Sequence, residues 1–293
     1  MASDKDVGGG PIIKATPYRV STITAVGSVG VQIDLARFFD VVPIVADNAD
    51  VNGSGLHYTY AELGMAWRGQ QTRVAKVAAA RRAARQAEGG GRPRHFDNQV
   101  TVVQHMSPDV RLNIKVFKNG QVQLTGIKRV EQGADAIERL ADMLRNVDPS
   151  VVLCGRVPVA SGYRVCLINS DFNLGFELKR DRLFHWLRAN CDTVCSYEPC
   201  IYPGVKINYM WNSQPSTIAH HGVCQCESPE RCGRGDGCGD GNCRKVTIAV
   251  FQSGSVIITG AHHMAQLDDA YRFVVDHVAY PSYYDILRPK LHV

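Results

Sequence analysis

The 293-residue sequence has no apolar run approaching the length that crosses a bilayer, about 20 residues. Its first residues, Met1 to Pro11, carry Asp4, Lys5 and Asp6 with a glycine run, and they lack the apolar core of a signal peptide. The sequence also lacks a nucleophile elbow, a Ser/His/Asp set and a His-Glu-x-x-His motif. We therefore expect a soluble intracellular protein that is not an enzyme.

Cysteine is not scarce, with ten residues in the chain. In a protein without a secretion signal, the compartment is reducing, so thiols or metal ligands are favoured over disulfides. The hydrophobic content of 45% is enough for a substantial core. The net charge of +5 fits an acidic polymer as a partner without requiring one.

One stretch of the sequence occurs twice. Lys115 to Gly126 reads KVFKNGQVQLTG, and Ala249 to Gly260 reads AVFQSGSVIITG. Each copy predicts a strand, a tight turn at Asn-Gly or Ser-Gly, and a second strand, which together make a β-hairpin. A duplicated half-domain predicts pseudo-two-fold symmetry and a partner that is itself nearly symmetric.

The repeat extends in both directions. Gly30 to Phe39 parallels Gly175 to Phe184, and the helical segment Ala136 to Val147 parallels Ala270 to Tyr280. Matched positions lie 145 residues apart early in the copies and 134 apart at the hairpin. The first copy is therefore longer between its first helix and its hairpin, where both copies carry inserts of unlike composition, as loops tolerate.

These matches predict a domain order along the chain. It comprises a disordered tail at 1–17, a first repeat at 18–147 with a basic insert at about 64–95, a connector at 148–162, a second repeat at 163–287 with a Cys/Gly-rich insert at about 213–243, and a tail at 288–293. Each repeat should begin with a strand and then a helix. The predicted elements are strand Val20 to Val29, a helix capped by Asp34 that ends near Val45, strand Tyr163 to Leu174, helix Arg180 to Asn190 and C-terminal helix Met264 to Ala279.

The second repeat contains two characteristic segments, Tyr197 to Gly204 (YEPCIYPG) and Phe251 to Ala261 (FQSGSVIITGA). In these residues the chain resembles the TATA-box-binding protein family. Ala46 to Asn52 and Ile33 to Leu35 are similar to the matching segments of the family's first repeat. The resemblance implies an α+β fold in which two pseudo-symmetric repeats form a saddle, a curved antiparallel sheet with helices on the convex face. The concave face would bind a widened minor groove and insert aromatic side chains between base steps.

The resemblance also implies which residues contact DNA. Phe117 and Phe251 match the wedge phenylalanine of each repeat, and Tyr202 occupies the second wedge position of the second repeat. Its first-repeat counterpart is Leu56, or Phe96 if the insert lies earlier. Where the family has one asparagine per first strand, this chain has Thr22 and Leu167, with Thr24 and Asn169 one period away, so a TATA preference is not implied. The other residues assigned to the interface are Lys115, Gln123, Thr125, Ile257, Thr259, Lys128, Arg129, Lys206, Arg244 and Lys245.

Strand alternation predicts that the two open faces differ. In the second hairpin Ala249, Phe251 and Ile257 share one face, whereas Lys115 and Gln123 occupy matching positions in the first hairpin. The second repeat is therefore predicted to be the stronger wedge.

The first insert is strongly basic. Arg68 to His95 holds seven arginines and one lysine against Glu88. An alanine-rich middle predicts a helix on which Arg73, Arg81 and Arg85 form a basic stripe. The insert is either an arm that contacts phosphates or a solvated loop.

The second insert is a candidate zinc site. Its cysteines are Cys224, Cys226, Cys232, Cys238 and Cys243, which follow His220 and His221. Thiolates in a glycine-rich loop can converge on a tetrahedral Zn²⁺ without a core of their own. The spacing is not a paired Cys-x-x-Cys signature, so a reduced cysteine-rich loop is the alternative.

The sequence thus predicts a transcription initiation factor that binds and bends promoter DNA through the minor groove. Its expected partners are double-stranded DNA, general transcription factors and the RNA polymerase machinery, with the protein a monomer on DNA or a weak dimer. Divergence of the inserts points to a large DNA virus or a protist as the source, and the expected location is the nucleus or a viral replication compartment. The alternative is a saddle-shaped protein-interaction scaffold that has lost DNA binding.

Overall fold

A computed structural model describes residues 13–45, 57–70, 76, 98–107, 110–213, 222–224, 226, 232–239 and 241–288. The chain divides into two compact units. Residues 22–166 form the first-repeat unit, and residues 13–21 with 167–288 form the second-repeat unit. No helix among the described residues is long and apolar enough to span a membrane.

The described residues of the first-repeat unit include an antiparallel sheet and two α-helices. Its strands lie in the order β3-β2-β4-β5-β6-β1. In chain order the elements are β1 Arg19–Ser28, α1 Leu35–Val41, β2 His57–Leu63, β3 Ala66–Gly69, β4 Gln99–Ser107, β5 Val110–Phe117, β6 Gln121–Ile127, α2 Val130–Asn146 and a 3₁₀ turn at Pro149–Val151.

The second-repeat unit has the same plan, although no counterpart of β3 lies among its described residues. Its strands lie in the order β7-β11-β10-β9-β8. In chain order the elements are β7 Ser161–Asn173, α3 Arg180–Asn190, β8 Val194–Ser196, β9 Val205–Trp211, β10 Arg244–Val250, β11 Ser255–Ala261, α4 Met264–Arg272, a π-helical segment Phe273–Ala279 and α5 Tyr280–Ile286. The α+β class is therefore confirmed, with an antiparallel sheet in each repeat.

The strand register reproduces the sequence repeat. Ile23 pairs with Ile127 in the first unit, and Ile168 pairs with Ala261 in the second. These pairs differ by 145 residues on one strand and 134 on the other, which are the offsets read from the sequence. The register shift next to these pairs is also shared. A β-bulge kept in both copies is a feature of the fold rather than a local defect.

The hairpin turns are duplicated in atomic detail. Gly120 and Gly254 both have φ +78°, a left-handed conformation that favours glycine. A Cβ atom on Gly120 would collide with the carbonyl oxygen of Val31, and one on Gly254 with that of Phe176. The Asn-Gly and Ser-Gly turns therefore need glycine both for conformation and for space.

The helix starts follow from local sequence. Asp34 caps α1 by accepting from the backbone N–H groups of Ala36 and Arg37, each at 3.0 Å, as predicted. In α2 and α4 a glutamine side chain accepts a hydrogen bond from the backbone at the start of its own helix. Gln132 accepts from the N–H of Arg129 at 3.0 Å, and Gln266 accepts from the N–H of His262 at 2.7 Å. His262 and His263 therefore lie at the start of α4.

The helices cover one face of each sheet. α2 packs against β6 and β4, and α4 packs against β10 and β11. The core residues of α2 recur at helical spacing, as Ile137, Leu140 and Leu144. Inward strand positions such as Ile114 and Ile248 are fully buried. The opposite strand positions are mostly half-buried, which leaves a second face on each sheet.

Two predicted helix ends differ from the structure. α1 ends at Val41 rather than near Val45, because Pro43 disfavours helical backbone in the residue before it. The C-terminal helix runs beyond Ala279 to Ile286 through the π-helical segment. Pro281 follows that segment and lacks the N–H that a regular helix would use, so the hydrogen-bond pattern changes there.

Residues 13–17 differ from the predicted disordered tail. The backbone N–H of Thr16 donates to Asn173 O at 2.8 Å, and Thr16 Oγ1 accepts from the Asn173 N–H at 3.0 Å. The hydroxyl of Tyr271 donates to Thr16 O at 3.2 Å. This segment therefore packs on the second-repeat unit.

Candidate nucleic-acid interface

The uncovered face of each sheet carries the residues predicted to contact DNA. On β5 and β6 these are Lys115, Phe117, Gln123 and Thr125, all half-buried. They alternate with Ile114, Val116, Val122 and Leu124, which are buried under the helices. The alternation thus separates a helix-covered face from an open face in the first-repeat unit, and the open face is polar around Phe117.

The same face of the second-repeat unit is more apolar. Ile257 stands where the first repeat has Gln123, and Ala249 stands where it has Lys115. Ile257 and Thr259 are half-buried, and Ala249 is buried. Leu167 and Met210 also lie on this face by alternation. The open face is therefore more apolar in the second-repeat unit, and its greater strength as a wedge stays a prediction.

Tyr202 and Phe251 form an aromatic pair at one end of β9 and β10. Their ring centroids are 5.8 Å apart with the ring planes at 58°. Gly204 lies against both rings, since a Cβ atom there would be 2.9 Å from Tyr202 and 3.2 Å from Phe251. The ammonium of Lys206 lies 4.2 Å from the centroid of the Tyr202 ring, a cation–π contact. Two predicted wedge residues are thus neighbours, and a glycine gives them room.

The first-repeat wedge is only partly described. Phe117 ends β5 and pairs with Gln99 at the start of β4. Leu56 and Phe96, the alternative partners, lie outside the described residues. By strand order β4 corresponds to β9, and Phe96 precedes β4 in sequence as Tyr202 precedes β9. Leu56 instead precedes β2, the counterpart of β8, so the strand order favours Phe96.

The central positions of β1 and β7 have unlike roles. The hydroxyl of Thr22 accepts from the N–H of Gly126 at 3.1 Å, which stabilises the bulge beside it. Thr24 and Leu167 are half-buried on the open side. The side-chain oxygen of Asn169 is buried and has no hydrogen-bond partner among the described residues. Burying an unpaired acceptor is costly, so this amide is a candidate contact for a ligand's donor.

An acidic residue on the open face was missed by the sequence reasoning. Asp171 is two and four residues beyond Asn169 and Leu167 on the same face of β7, so strand alternation could have found it. Its carboxylate binds the Arg19 guanidinium at 2.8 Å. Arg19 lies 152 residues away in sequence, so its pairing with Asp171 has no local signal. The ion pair cancels a negative charge on a face predicted to meet DNA.

The predicted basic contacts do not all share that face. Lys115, Lys206 and Lys245 lie on the open side by alternation, as Phe251 does. Arg244 has the opposite parity. Its guanidinium donates to Gly260 O at 3.1 Å and contacts the His262 ring. Burial lowers the pKa of Arg244, and its contacts indicate a structural role.

Lys128 and Arg129 are exposed where β6 joins α2. Arg129 is the N-cap residue of α2. The structure thus gives Arg129 a place at a helix start, and contact of either side chain with DNA stays a prediction.

Arg68 does not belong to a solvated arm. It lies on β3, and its guanidinium donates to the carbonyl oxygens of Phe39 at 2.5 Å and Asp40 at 2.7 Å. It thereby satisfies carbonyl groups near the C-terminal end of α1. Of the insert after it, Arg73, Arg81 and Arg85 lie outside the described residues.

The predicted metal ligands divide into two groups. The thiols of Cys224, Cys226 and Cys243 lie within 4.8 Å of one another, and these three residues could hold a metal ion. Burial and a hydrogen bond with Cys232 raise the pKa of Cys224 to about 11. Cys238 is exposed, and its backbone N–H donates to the Asp236 carboxylate at 2.9 Å. His220 and His221 lie outside the described residues.

No family model matches the chain. A curated protein of Acanthamoeba polyphaga mimivirus, named TATA-box-binding protein-like, is 28% identical over 214 residues, which cover 65% of this chain and 49% of that protein. The chain is thus similar in sequence to a TATA-box-binding-protein-like protein. It spans about half the length of the curated relative that it matches.

A solved structure, the Methanococcus jannaschii TBP, is similar to this chain with a TM-score of 0.45 and 16% sequence identity. The similarity covers 90% of this chain and 98% of that one. The similarity to the mimivirus protein confirms the resemblance to the TATA-box-binding protein family.

Proposed function

We propose that this protein is a transcription initiation factor that binds and bends promoter DNA through the minor groove. The observation that carries the proposal is the aromatic pair Tyr202 and Phe251 at the end of an open, mostly apolar strand face. In minor-groove binders, side chains of this kind enter between base steps and kink the duplex. General transcription factors and RNA polymerase machinery would be further partners.

The proposal also covers location and metal. A factor of this kind would act inside the cell, in the nucleus or in a viral replication compartment. It would work by binding rather than by catalysis, as a monomer on DNA or a weak dimer. The metal held by Cys224, Cys226 and Cys243 would be zinc, since thiolates are ligands that zinc prefers.

A fluorescence bending assay tests the function directly. Short duplexes with a donor and an acceptor at their ends are titrated with the full chain, using one AT-rich and one random sequence. We expect energy transfer to rise with both, because the central asparagines that would read bases are missing. If the chain neither bends nor binds either duplex at low salt, the proposal is overturned.

A protein-interaction scaffold is the second candidate. The observation in its favour is Asp171, an acidic side chain on the open face, together with Lys115 and Gln123 in the first repeat. In that case the bending assay would be negative with both duplexes, although the chain is folded. The same experiment therefore separates the two candidates.

The ion pair between Arg19 and Asp171 gives a charge-based prediction. Arg19→Gln leaves the Asp171 carboxylate unpaired near the phosphates, so DNA binding should weaken. Asp171→Asn frees Arg19 for a phosphate, so binding should tighten and the slope of log K against log salt should steepen by about 0.9. Binding is measured by anisotropy between 50 and 200 mM salt.

The double variant Arg19→Gln with Asp171→Asn is the matched control. It removes both charges, so its affinity should lie between those of the single variants. If all three variants bind DNA as the unaltered chain does, the pair lies outside the interface.

A further inference from the structure

The loop between β9 and β10 brings several thiols together. Cys243, which directly precedes β10, is 1% exposed. Its thiol and those of Cys224 and Cys226 all lie within 4.8 Å of one another. Cys232 is half-buried in the same loop and interacts with the Cys224 thiol, whose pKa it helps to raise. Three of the five cysteines in this loop thus form a cluster, Cys232 interacts with one of them, and Cys238 is exposed.

Hydrogen-bond donors are directed at these sulfur atoms. The N–H of Cys226 donates to Cys224 Sγ at 3.4 Å, and Asn212 Nδ2 donates to Cys243 Sγ at 3.7 Å. Neutral thiols are weak acceptors, whereas thiolates accept such bonds strongly. Donors of this kind surround metal-bound thiolates, where they orient the ligands and spread their charge.

The loop has little apolar material of its own to fix it. Its described residues include Val223 among cysteines, glycines and polar residues. Backbone hydrogen bonds join it to the neighbouring strands, from Met210 N to Gly222 O at 2.8 Å, and from Lys245 N to Gly233 O at 3.1 Å. A segment that buries few apolar side chains gains little to offset the entropy of ordering it. A metal–thiolate cluster supplies that stabilisation without a core.

We propose that Cys224, Cys226, Cys232 and Cys243 bind one Zn²⁺ in a tetrahedral site that fixes the loop to the ends of β9 and β10. A zinc–sulfur distance of about 2.3 Å places tetrahedral sulfurs about 3.8 Å apart. The three clustered sulfurs already lie within 4.8 Å, so small side-chain rotations complete the geometry. The role is structural, because four protein ligands leave no open position for a substrate. The aromatic pair Tyr202 and Phe251 lies at the other end of β9 and β10, so the site is distinct from the proposed wedge.

Metal content and cobalt spectroscopy of the full chain test this site. Protein purified in reducing buffer should contain about one zinc ion per chain by mass spectrometry. The reducing buffer prevents disulfides, so the thiols stay available to bind the metal. Replacement of zinc by Co²⁺ should give the strong visible bands and the thiolate charge-transfer bands of a tetrahedral tetrathiolate. Folded, reduced protein that binds neither metal would overturn the proposal.

Single serine variants test the ligand set. Cys226→Ser and Cys232→Ser should each weaken Co²⁺ binding at least tenfold and shift the visible bands, whereas the matched control Cys238→Ser should leave both unchanged. Cys243 is buried, so the half-buried positions Cys226 and Cys232 avoid a loss of folding. An unchanged spectrum in Cys232→Ser, or equal losses in Cys238→Ser and Cys226→Ser, would overturn the assignment.

Limited proteolysis tests the structural role. Removal of zinc by a chelator should make the loop between β9 and β10 sensitive to protease at least tenfold faster, while cleavage elsewhere stays unchanged. Equal cleavage rates with and without zinc would show that the metal does not fix the loop. This readout needs no DNA, so it can fail or succeed independently of the proposed function.

Discussion

Replacing Phe251 by alanine should weaken DNA binding by roughly 10- to 100-fold and remove much of the bend. Stacking of a base on an aromatic side chain contributes about 1–3 kcal/mol, and each 1.4 kcal/mol is about tenfold in affinity. The Phe251 ring lies 5.8 Å from that of Tyr202, and Ala249 and Ile257 share its face. Loss of the ring therefore removes half of a wedge pair in apolar surroundings.

The effect of Phe251→Ala is compared with that of Phe117→Ala. Lys115 and Gln123 flank Phe117 on a more polar face, so we expect a smaller loss there. Phe251→Leu is the matched control, because leucine also serves as a wedge, and it should keep most of the bending. Affinity and bending are measured by anisotropy and energy transfer, with circular dichroism to confirm folding. Equal losses for Phe251→Ala and Phe117→Ala would contradict the asymmetry between the repeats.

Replacing Gly254 by alanine should destabilise the protein by about 2–4 kcal/mol. The residue has φ +78°, and the added Cβ would meet the carbonyl oxygen of Phe176, which is backbone and cannot rotate away. Gly120→Ala should cost about the same, because its turn has the same φ and the same kind of collision with Val31 O. Thermal and urea unfolding measure the change.

Gly162→Ala is the control for this effect. Its φ is +62°, but nothing lies within 4 Å of the added Cβ. Only the left-handed strain remains, which costs roughly 1–2 kcal/mol. If Gly162→Ala and Gly254→Ala destabilised the chain equally, backbone strain alone would explain the turns and the collision would have no part.

Elements defined by neighbouring residues could be predicted closely. The hairpins could be predicted because Asn-Gly and Ser-Gly turns lie between strands with alternating side chains. Helix Arg180–Asn190 has the predicted ends. The helix cap at Asp34 could also be predicted, because its side chain accepts a hydrogen bond from Ala36, two residues away. Predictions of this kind succeed because the interactions lie within a few residues of each other.

Features that depend on tertiary packing were harder to predict from the sequence. The C-terminal helix continues through a π-helical segment to Ile286, although Pro281 lies in the last α-helical part. Arg68 appeared to belong to a basic arm, and its hydrogen bonds with Phe39 O and Asp40 O became visible only when β3 was placed beside α1. Such contacts join residues that are distant in sequence, so composition and periodicity carry no trace of them.

By itself the sequence determined the duplication, the hairpins with their glycines and the resemblance to the TATA-box-binding protein family, because these depend on residue identity and short spacing. Only the tertiary structure decided that Arg19 pairs with Asp171, that Arg244 serves the fold, and that the thiols of Cys224, Cys226 and Cys243 lie together while Cys238 is exposed. The physical reason is that charge pairing and metal ligation depend on distances of a few ångströms between atoms, which folding sets and sequence separation does not.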